Sequence, residues 1–234
     1  EVHYQPIFAA DGVTQVSHEA LVRWQHPVRG RMPPGEFIAI AEQSDLIDKV
    51  GEWVLRRALA DLPRLGAPTV GINVSPVQLK RRDFADRFVA ILAEAGVEGR
   101  SVVIEVTESL PLQGSAVELD NIARLQALGI RVAIDDFGAG FASLEYLRGF
   151  PFDIIKIDRS YVANLTRSRI DGLIVTAICK IAASLEVEVI AEGVETEEQL
   201  EFLQRAGVTA LQGYLLGRPE PLAAAVVKPL ASAA

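Results

Sequence analysis

The stretch RVAIDDFGAGFASLEYL (residues 131–147) combines a short apolar strand with two adjacent acids and a glycine-rich turn. Neighbouring side chains of a strand point to opposite faces, so Ala133 and Asp135 share one face. Val132 and Ile134 share the other, and branched apolar residues suit a face that is covered by helices. A carboxylate buried without a partner is costly. The alternation therefore predicts a fold in which the face of Asp135 opens to a polar site.

Strand-like and helix-like segments alternate along the rest of the chain. Runs such as SVVIEV, FDIIKI and VEVI indicate strands, and apolar residues at helical spacing indicate helices. The predicted strands are residues 2–8, 16–23, 69–74, 101–107, 130–135, 153–158, 187–191 and 208–212. The predicted helices are residues 36–60, 83–95, 117–128, 168–185 and 197–206, with a last helix in the tail at 221–234.

The order of these segments predicts a closed barrel. Asp-Gly in AADGVTQ is a hairpin signal, so the first two strands should pair antiparallel, whereas helix-length crossovers make the later strands parallel. We therefore expect one α/β domain over residues 1–234, a modified TIM (β/α)8 barrel with an antiparallel first strand. The alternative is an open doubly wound sheet, but no glycine-rich dinucleotide motif opens the chain.

Composition excludes several classes of protein. The net charge of −8 disfavours a nucleic acid polymer as partner, because such partners require a basic surface. No apolar run approaches the roughly 20 residues that span a bilayer, so we expect no membrane contact by this segment. Cys179 is the single cysteine, and the absence of a disulfide framework is consistent with a reducing, cytoplasmic location. The chain opens on a strand without an initiator Met, which suggests a domain of a longer protein.

Each predicted parallel strand directs a polar side chain toward the same face near its C-terminal end. The polar side chains of that parity are those of Glu19, Arg23, Asn73, Glu105, Asp135, Lys156, Asp158, Glu192 and Gln212. Active sites of such barrels lie at the C-terminal ends of the strands. Crowded carboxylates repel one another and resist ionising together, so the cluster predicts bound cations.

The candidate ligands are all oxygen donors, and no histidine joins them. They are Glu19, Asn73, Glu105, Asp135, Asp136 and Glu192. This set favours two Mg²⁺ or Mn²⁺ ions over Zn²⁺. We expect the strand to stop after Asp135, so that the glycine-rich turn swings Asp136 back toward the mouth. The alternative is that Asp136 only caps a following helix.

Eight motifs, in order along nearly the whole chain, resemble the EAL-domain family of cyclic di-GMP phosphodiesterases. They are YQPI, EALVRW, INVSPVQL, IEVTES, IDDFGAG, IIKID, IAEGVET and LQGYLLGRP. The resemblance implies metal-dependent hydrolysis of one phosphodiester bond of cyclic di-GMP to linear pGpG. Because Ca²⁺ binds oxygen ligands with looser geometry, we expect it to inhibit turnover while permitting substrate binding.

The resemblance also implies roles in catalysis. One metal would be held by Glu19, Asn73, Glu105 and Asp135, and the second by Asp135, Asp136 and Glu192. Lys156 resembles the lysine that holds the attacking water, although it could be only a counter-ion for the acids. Gln212 resembles a residue near that water. Glu192 is a candidate general base, but we favour its role as a ligand.

Other matches imply contacts with substrate. Arg23 resembles a phosphate-binding arginine, with a surface salt bridge as the alternative, and Gln5 resembles a residue that contacts a guanine edge. Leu21 is expected to pack against substrate. Asp158 is expected in the substrate site as a partner of the lysine or of the metal shell. Two weaker matches, Glu108 and Glu195, would support the loops of the rim.

The loop DDFGAGFAS departs from the family pattern, DDFGTGYSS. Ala139, Phe141 and Ala142 replace three hydroxyl residues, while Ser143 remains. The alternative function is therefore a cyclic di-GMP receptor that signals by conformation or dimerisation. A remote alternative is a barrel lyase with Mg²⁺ and Lys156 as base. The resemblance further implies a homodimer near the 136–150 loop and fused sensor or regulatory domains.

Overall fold

A computed structural model describes residues 1–107, 115–138, 150–165 and 167–225 of the chain. Its strands are β1 Val2–Ala9, β2 Gln15–Val22, β3 Trp24–His26, β4 Gly30–Met32, β5 Thr69–Asn73, β6 Val102–Thr107, β7 Arg131–Phe137, β8 Ile154–Ile157, β9 Glu188–Ala191, β10 Ala210–Leu211 and β11 Glu220–Pro221. Strands β1, β2 and β5 to β10 close into a barrel. Because β1 pairs antiparallel with both β2 and β10 while the other barrel pairs are parallel, the predicted fold is confirmed.

Helices surround the barrel, and those at residues 84–95, 116–126, 169–185 and 197–206 lie where the sequence predicts them. They are α1 Pro34–Ala41, α2 Leu46–Leu65, α3 Pro76–Leu79, α4 Phe84–Ala95, α5 Ala116–Gln126, α6 Arg159–Ala163, α7 Arg169–Leu185, α8 Glu197–Ala206 and α9 Leu222–Ala225, with a 3₁₀ turn at Gly99–Ser101. Gly66, Gly96 and Gly207 end α2, α4 and α8 in the left-handed conformation. Glycine adopts that conformation without steric cost, which explains why the helices stop there.

Strand parity separates two apolar layers. Outward residues such as Ile104, Ile134 and Ile155 pack with the helices in the large core. A smaller cluster fills the barrel interior and contains Ile7, Val103, Ala133, Ile154, Ile190 and Ala210. Five of these interior residues lie two positions before Glu105, Asp135, Lys156, Glu192 and Gln212. The polar groups therefore form the next layer toward the mouth, on the parity that the sequence predicts.

The predicted helix at 36–60 is wrong, because the chain forms two helices there. Helix α1 ends at Ala41 and α2 begins at Leu46. Between them, the Ser44 hydroxyl donates to the carbonyl of Ala41 at 3.2 Å and accepts from the Leu46 N–H at 3.4 Å. Serine competes in this way with the helical backbone, and the turn results. The short β3–β4 hairpin was also not predicted.

Part of the chain lies outside the described residues. These residues are 108–114, 139–149, 166 and 226–234, so only Leu222–Ala225 of the predicted tail helix is observed. Within the described ranges, no helix combines the length and apolar character that a bilayer-spanning helix requires.

Candidate active site

Lys156 is fully buried at the centre of the barrel mouth and contacts four carboxylates. Its Nζ lies 2.6 Å from Glu105, 2.7 Å from Glu192, 3.0 Å from Asp135 and 3.4 Å from Glu19. The acids come from β2, β6, β7 and the residue after β9, so the convergence depends on closure of the barrel. One ammonium cannot balance four ionised carboxylates, and buried charges that are not balanced are costly.

Three amides complete this layer. Asn73 Nδ2 donates to Glu19 Oε1 at 2.8 Å, and Gln212 Nε2 donates to Glu19 Oε2 at 2.7 Å. Gln212 Nε2 also donates to the side-chain oxygen Oε1 of Gln5 at 3.2 Å. Within the described structure, Gln212 Oε1 is buried without a hydrogen-bond partner. This side chain therefore offers a free acceptor at the floor of the site.

Burial and crowding shift the acid–base equilibria of the cluster. Burial, followed by the charges of Glu19 and Asp135, raises the pKa of Glu105 well above its usual value, against the effect of Lys156. Burial raises the pKa of Glu192 to about 8, with the neighbouring carboxylates adding to the shift. Burial opposes the charge on Lys156, but the four carboxylates outweigh it and raise its pKa well above the usual value. The lysine therefore stays charged, while Glu105 and Glu192 resist ionisation.

Glu19 behaves differently from the other acids. Burial works to raise its pKa, but Lys156 and the hydrogen bonds from Gln212 and Asn73 outweigh burial, so the pKa of Glu19 is lowered. The pKa of Asp136 is raised to about 6 by burial and by the charge of Asp135. The site thus contains an ionised acid at its floor and an acid whose charge is disfavoured near its rim.

The strand does not end at Asp135, and this prediction is wrong. Strand β7 continues to Phe137, and its register with β8 shifts between Ile134 and Phe137, so that Asp135 and Asp136 together oppose Lys156. Asp136 has a φ of 54°, a left-handed conformation that aspartate tolerates better than most residues. A bulge at Asp136, and not a glycine turn, therefore breaks the alternation. Such bulges redirect side chains beside active sites.

The bulge creates an arrangement that fits a divalent cation. Carboxylate oxygens of Asp135, Asp136 and Glu192 all lie within 4.8 Å of one another. Asp135 Oδ1 is 3.0 Å from Lys156 Nζ but lacks hydrogen-bond geometry, and among the described residues it is buried without another partner. The donors are all oxygens, as Mg²⁺ and Mn²⁺ prefer. By contrast, the oxygens of Glu19 are already engaged by two amides, so that acid must exchange partners to bind an ion.

An open cavity of about 480 Å³ lies above this layer. Its lining includes the predicted residues Gln5, Glu19, Leu21, Asp135, Asp136, Asp158, Glu192, Glu195 and Gln212. Arg23 instead lines an adjoining pocket of about 250 Å³ that also contains Glu19, Asn73 and Glu105. The two cavities share Glu19 and Leu21, so the predicted substrate residues surround one continuous region of the mouth.

Two predicted site residues, Asp158 and Glu108, are not observed in their expected contacts. Asp158 lines the cavity, but the bonds of its carboxylate run to Ser160, whose N–H donates at 3.0 Å, and this contact caps α6. The structure records no contact of that carboxylate with Lys156. Glu108, together with Ala139, Phe141, Ala142 and Ser143 of the departing loop, lies outside the described residues.

Sequence reasoning missed four residues that line the same cavity, namely the glycines Gly193 and Gly213 and two residues with large side chains, Arg159 and Tyr214. Arg159 follows Asp158 directly, and alternation would have directed it outward, but α6 begins there and places it on the rim. Tyr214 follows Gln212 by two positions and is half exposed, with the Arg218 guanidinium 4.2 Å from its ring centroid. An exposed aromatic beside a predicted strand end was the available signal.

The fold and the site define a class of α/β barrels with one antiparallel strand and an acidic mouth. The chain belongs to the EAL domain family, whose model matches residues 1–219. The cyclic di-GMP phosphodiesterase NbdA of Pseudomonas aeruginosa is 42% identical over 231 residues, which are 96% of this chain and 29% of the relative. The chain spans only 27% of the length of each of the first two curated relatives that it matches.

Solved structures agree with the fold. The PaMucR phosphodiesterase in complex with c-di-GMP is 39% identical, with a TM-score of 0.87 over 94% of this chain and 92% of that one. BlrP1 of Klebsiella pneumoniae, in a manganese and cyclic di-GMP complex, is 31% identical, with a TM-score of 0.82 over 94% of this chain and 56% of that one.

Proposed function

We propose that this domain is a metal-dependent phosphodiesterase that hydrolyses cyclic di-GMP to linear pGpG. The observation that carries the proposal is the convergence of four carboxylates on the buried Lys156, directly below an open cavity. Divalent cations balance that excess of negative charge. The names of similar proteins, which include phosphodiesterases and complexes with cyclic di-GMP and manganese, support the same function.

The ligands of the ions are proposed as two overlapping sets. Glu19, Asn73, Glu105 and Asp135 would hold one Mg²⁺ or Mn²⁺ ion, and Asp135, Asp136 and Glu192 the other. When bound, such a pair polarises the phosphate and activates water for in-line attack. The proximity of the second set, within 4.8 Å, is the stronger support of the two.

Lys156 and Gln212 would act on the reacting groups. The Lys156 ammonium keeps its proton, and it would orient the attacking water and stabilise charge that develops on the phosphate. The free acceptor of Gln212, Oε1, can take a hydrogen bond from that water. Closure of the apolar layer beneath them keeps bulk water away from the floor of the site.

Substrate contacts would come from the cavity walls. Arg23 carries a guanidinium that can bind a phosphate with two parallel hydrogen bonds. Gln5 is proposed to contact a guanine edge, Leu21 to pack against the ligand, and Asp158 to border it. Glu195 lies on the rim, where it would support the loop after β9.

Turnover of cyclic di-GMP with Mn²⁺ tests the proposal. Glu19→Gln removes a charge but keeps the shape of the side chain, and we expect hydrolysis to fall by about three orders of magnitude, as for loss of other catalytic groups. Glu201→Gln, on the exposed surface of α8, is the matched control and should hydrolyse normally. Saturable binding of ligand that stays intact would instead indicate a receptor. Ca²⁺ should permit binding without turnover, and appreciable hydrolysis with Ca²⁺ alone would contradict the expected inhibition by Ca²⁺.

The fused domains, the oligomeric state, the location and the ligand of this domain are also parts of the proposal. The relatives extend well beyond the matched region, which supports fused sensor or regulatory domains in the parent protein. The homodimer is proposed from the family resemblance, and the cytoplasmic location from a sequence with a single cysteine. Cyclic di-GMP, and not a nucleic acid polymer, is the proposed ligand of this acidic mouth.

A further inference from the structure

Both tryptophans of the chain line one apolar groove beside the mouth. Trp24, on β3, is 42% exposed, and Trp53, on α2, is 47% exposed. Ile40 and Leu46, at 63% and 52%, lie in the same groove, whose volume is about 570 Å³. Exposed apolar patches of this kind mark interaction sites, and tryptophan is enriched among the residues that dominate binding energy.

The groove has the pattern of a surface that receives a helix. Leu46, Val50 and Trp53 recur along α2 at spacings of four and three residues, so they form a stripe on one face. Val54 and Ala58 continue the i, i+4 row of Leu46 and Val50 but are buried in the core, and Val50 is partly buried against that core. The apolar surface of α2 is therefore covered at Val54 and Ala58, whereas Leu46 and Trp53 stay about half exposed within the described structure. A partner helix covers such a stripe by packing its own ridge against it.

The charges on the rim select an acidic partner. Arg23 and Lys49 line the groove, and neither has a carboxylate within ion-pair distance among the described residues. The one acid of the lining, Glu1, is turned to His3, whose Nε2 lies 3.2 Å away. Two cations that form no ion pair among the described residues, in a chain of net charge −8, are complementary to an acidic flank.

We propose that this groove docks an amphipathic helix with acidic flanks, supplied by another part of the same polypeptide in the parent protein. The curated relatives carry most of their sequence outside the matched region, which is 27% of the first of them. A helix tethered to the domain binds at high effective concentration, so a modest apolar contact suffices. The proposal does not depend on the catalytic function.

A helix bound in the groove would also lie beside the mouth of the barrel. Val22, Arg23 and Val50 line both this groove and the adjoining pocket that contains Glu19 and Asn73. A helix seated on Trp24 therefore touches the same wall from which Arg23 faces the candidate substrate region. The groove is placed to couple a distant domain to that region.

Hydroxyl-radical footprinting of the full-length parent protein, read by mass spectrometry of each peptide, tests the docking. In the wild type, Trp24 and Trp53 should oxidise several-fold more slowly than in an Ile40→Glu variant, whose charge opposes the apolar ridge. Lys49→Glu, which reverses a rim charge on an exposed site, should release the same protection. Val13→Glu is the matched control, because Val13 is 68% exposed and lies away from the groove.

Each other outcome overturns the proposal. Equal oxidation of both tryptophans in wild type and Ile40→Glu would mean that no helix covers the groove. If the tryptophans stay protected in Lys49→Glu, the docked helix does not carry the acidic flank that we propose. Protection that is lost on dilution would identify a second copy of the chain as the occupant, in place of a tethered helix. Tyr214, 50% exposed, provides an internal reference that should react equally in all variants.

Discussion

Lys156 is the residue on which the organisation of the mouth depends. It is surrounded by Glu19, Glu105, Asp135 and Glu192, and it is fully buried. A buried cation of this kind is retained because the acids around it outweigh its desolvation. Removing one partner of a buried ion cluster leaves uncompensated charge, which costs more than the cluster contributes.

Lys156→Met should therefore destabilise the protein when no divalent cation is present. We expect the free energy of unfolding to fall by at least about 3 kcal/mol in EDTA, because four acids lose their shared counter-ion. Mn²⁺ should raise the melting temperature of the variant more than that of the wild type, since the ions replace the missing charge. Thermal unfolding with and without Mn²⁺ measures both effects.

Lys180→Met is the matched control for this experiment, because Lys180 is exposed on α7. Its stability should stay within about 0.5 kcal/mol of the wild type, as is usual for surface substitutions. A Lys156→Met protein as stable as the wild type in EDTA would show that the carboxylates do not carry the charge that we assign to them.

At the scale of elements, the loops after β9 and β10 approach each other at Gly213. A Cβ atom there would lie 2.1 Å from the carbonyl oxygen and 2.2 Å from the nitrogen of Val194. Val194 also donates to the carbonyl of Gln212 at 3.1 Å and accepts from the Leu215 N–H at 3.0 Å. Only glycine permits this contact, which holds Gln212 beside the loop of Glu192.

Gly213→Ala should separate these two loops. The clash involves backbone atoms that cannot rotate away, so we expect destabilisation of about 1–3 kcal/mol, as for other overpacked sites. Turnover of cyclic di-GMP should fall at least as steeply as stability, since Gln212 moves with the loop. Gly35→Ala is the control, because a Cβ atom there meets nothing within 4 Å. Normal activity of Gly213→Ala would mean that the loop contact does not position the site.

Helix α7 carries the single cysteine, and its environment predicts an inert thiol. Cys179 is 3% exposed, and burial raises its pKa to about 11. Because the thiolate is the reactive form, the native thiolate fraction at pH 8 is about a hundredfold below that of a free cysteine. A thiol reagent should therefore react with one group per chain only after unfolding. Rapid stoichiometric reaction of the native protein would contradict the packing of α7.

The parts of the fold that the sequence predicts are those with a regular period. Alternation in RVAID and SVVIEV correctly places Asp135 and Glu105 on the inward face, because the side-chain period of a strand is two. The same rule could not predict the bulge at Asp136. The left-handed conformation of that residue interrupts the two-residue period of the strand, and the residue types around it do not indicate the interruption. The break between α1 and α2 depends on local bonds of Ser44, which apolar spacing does not reveal.

At the scale of the whole molecule, closure of the barrel creates the site. Lys156 and Glu19 are 137 residues apart in sequence, and they meet because β1 joins β2 to β10 and completes the ring. Residue types and parity predicted which side chains would face the mouth. Which acids would contact Lys156, and that Asp158 would cap α6, could not be predicted, because these depend on strand register and on the next backbone turn.

The central claim is that the oxygen donors of this mouth bind a pair of divalent cations. A titration of the protein with Mn²⁺ in the presence of cyclic di-GMP, followed by electron paramagnetic resonance, tests it most directly. We predict two ions per chain and an exchange-coupled spectrum, because a shared Asp135 would hold the ions about 3.5–4 Å apart. Asp135→Asn should abolish the coupling. Fewer than two ions per chain, or two ions with uncoupled spectra, would contradict the account.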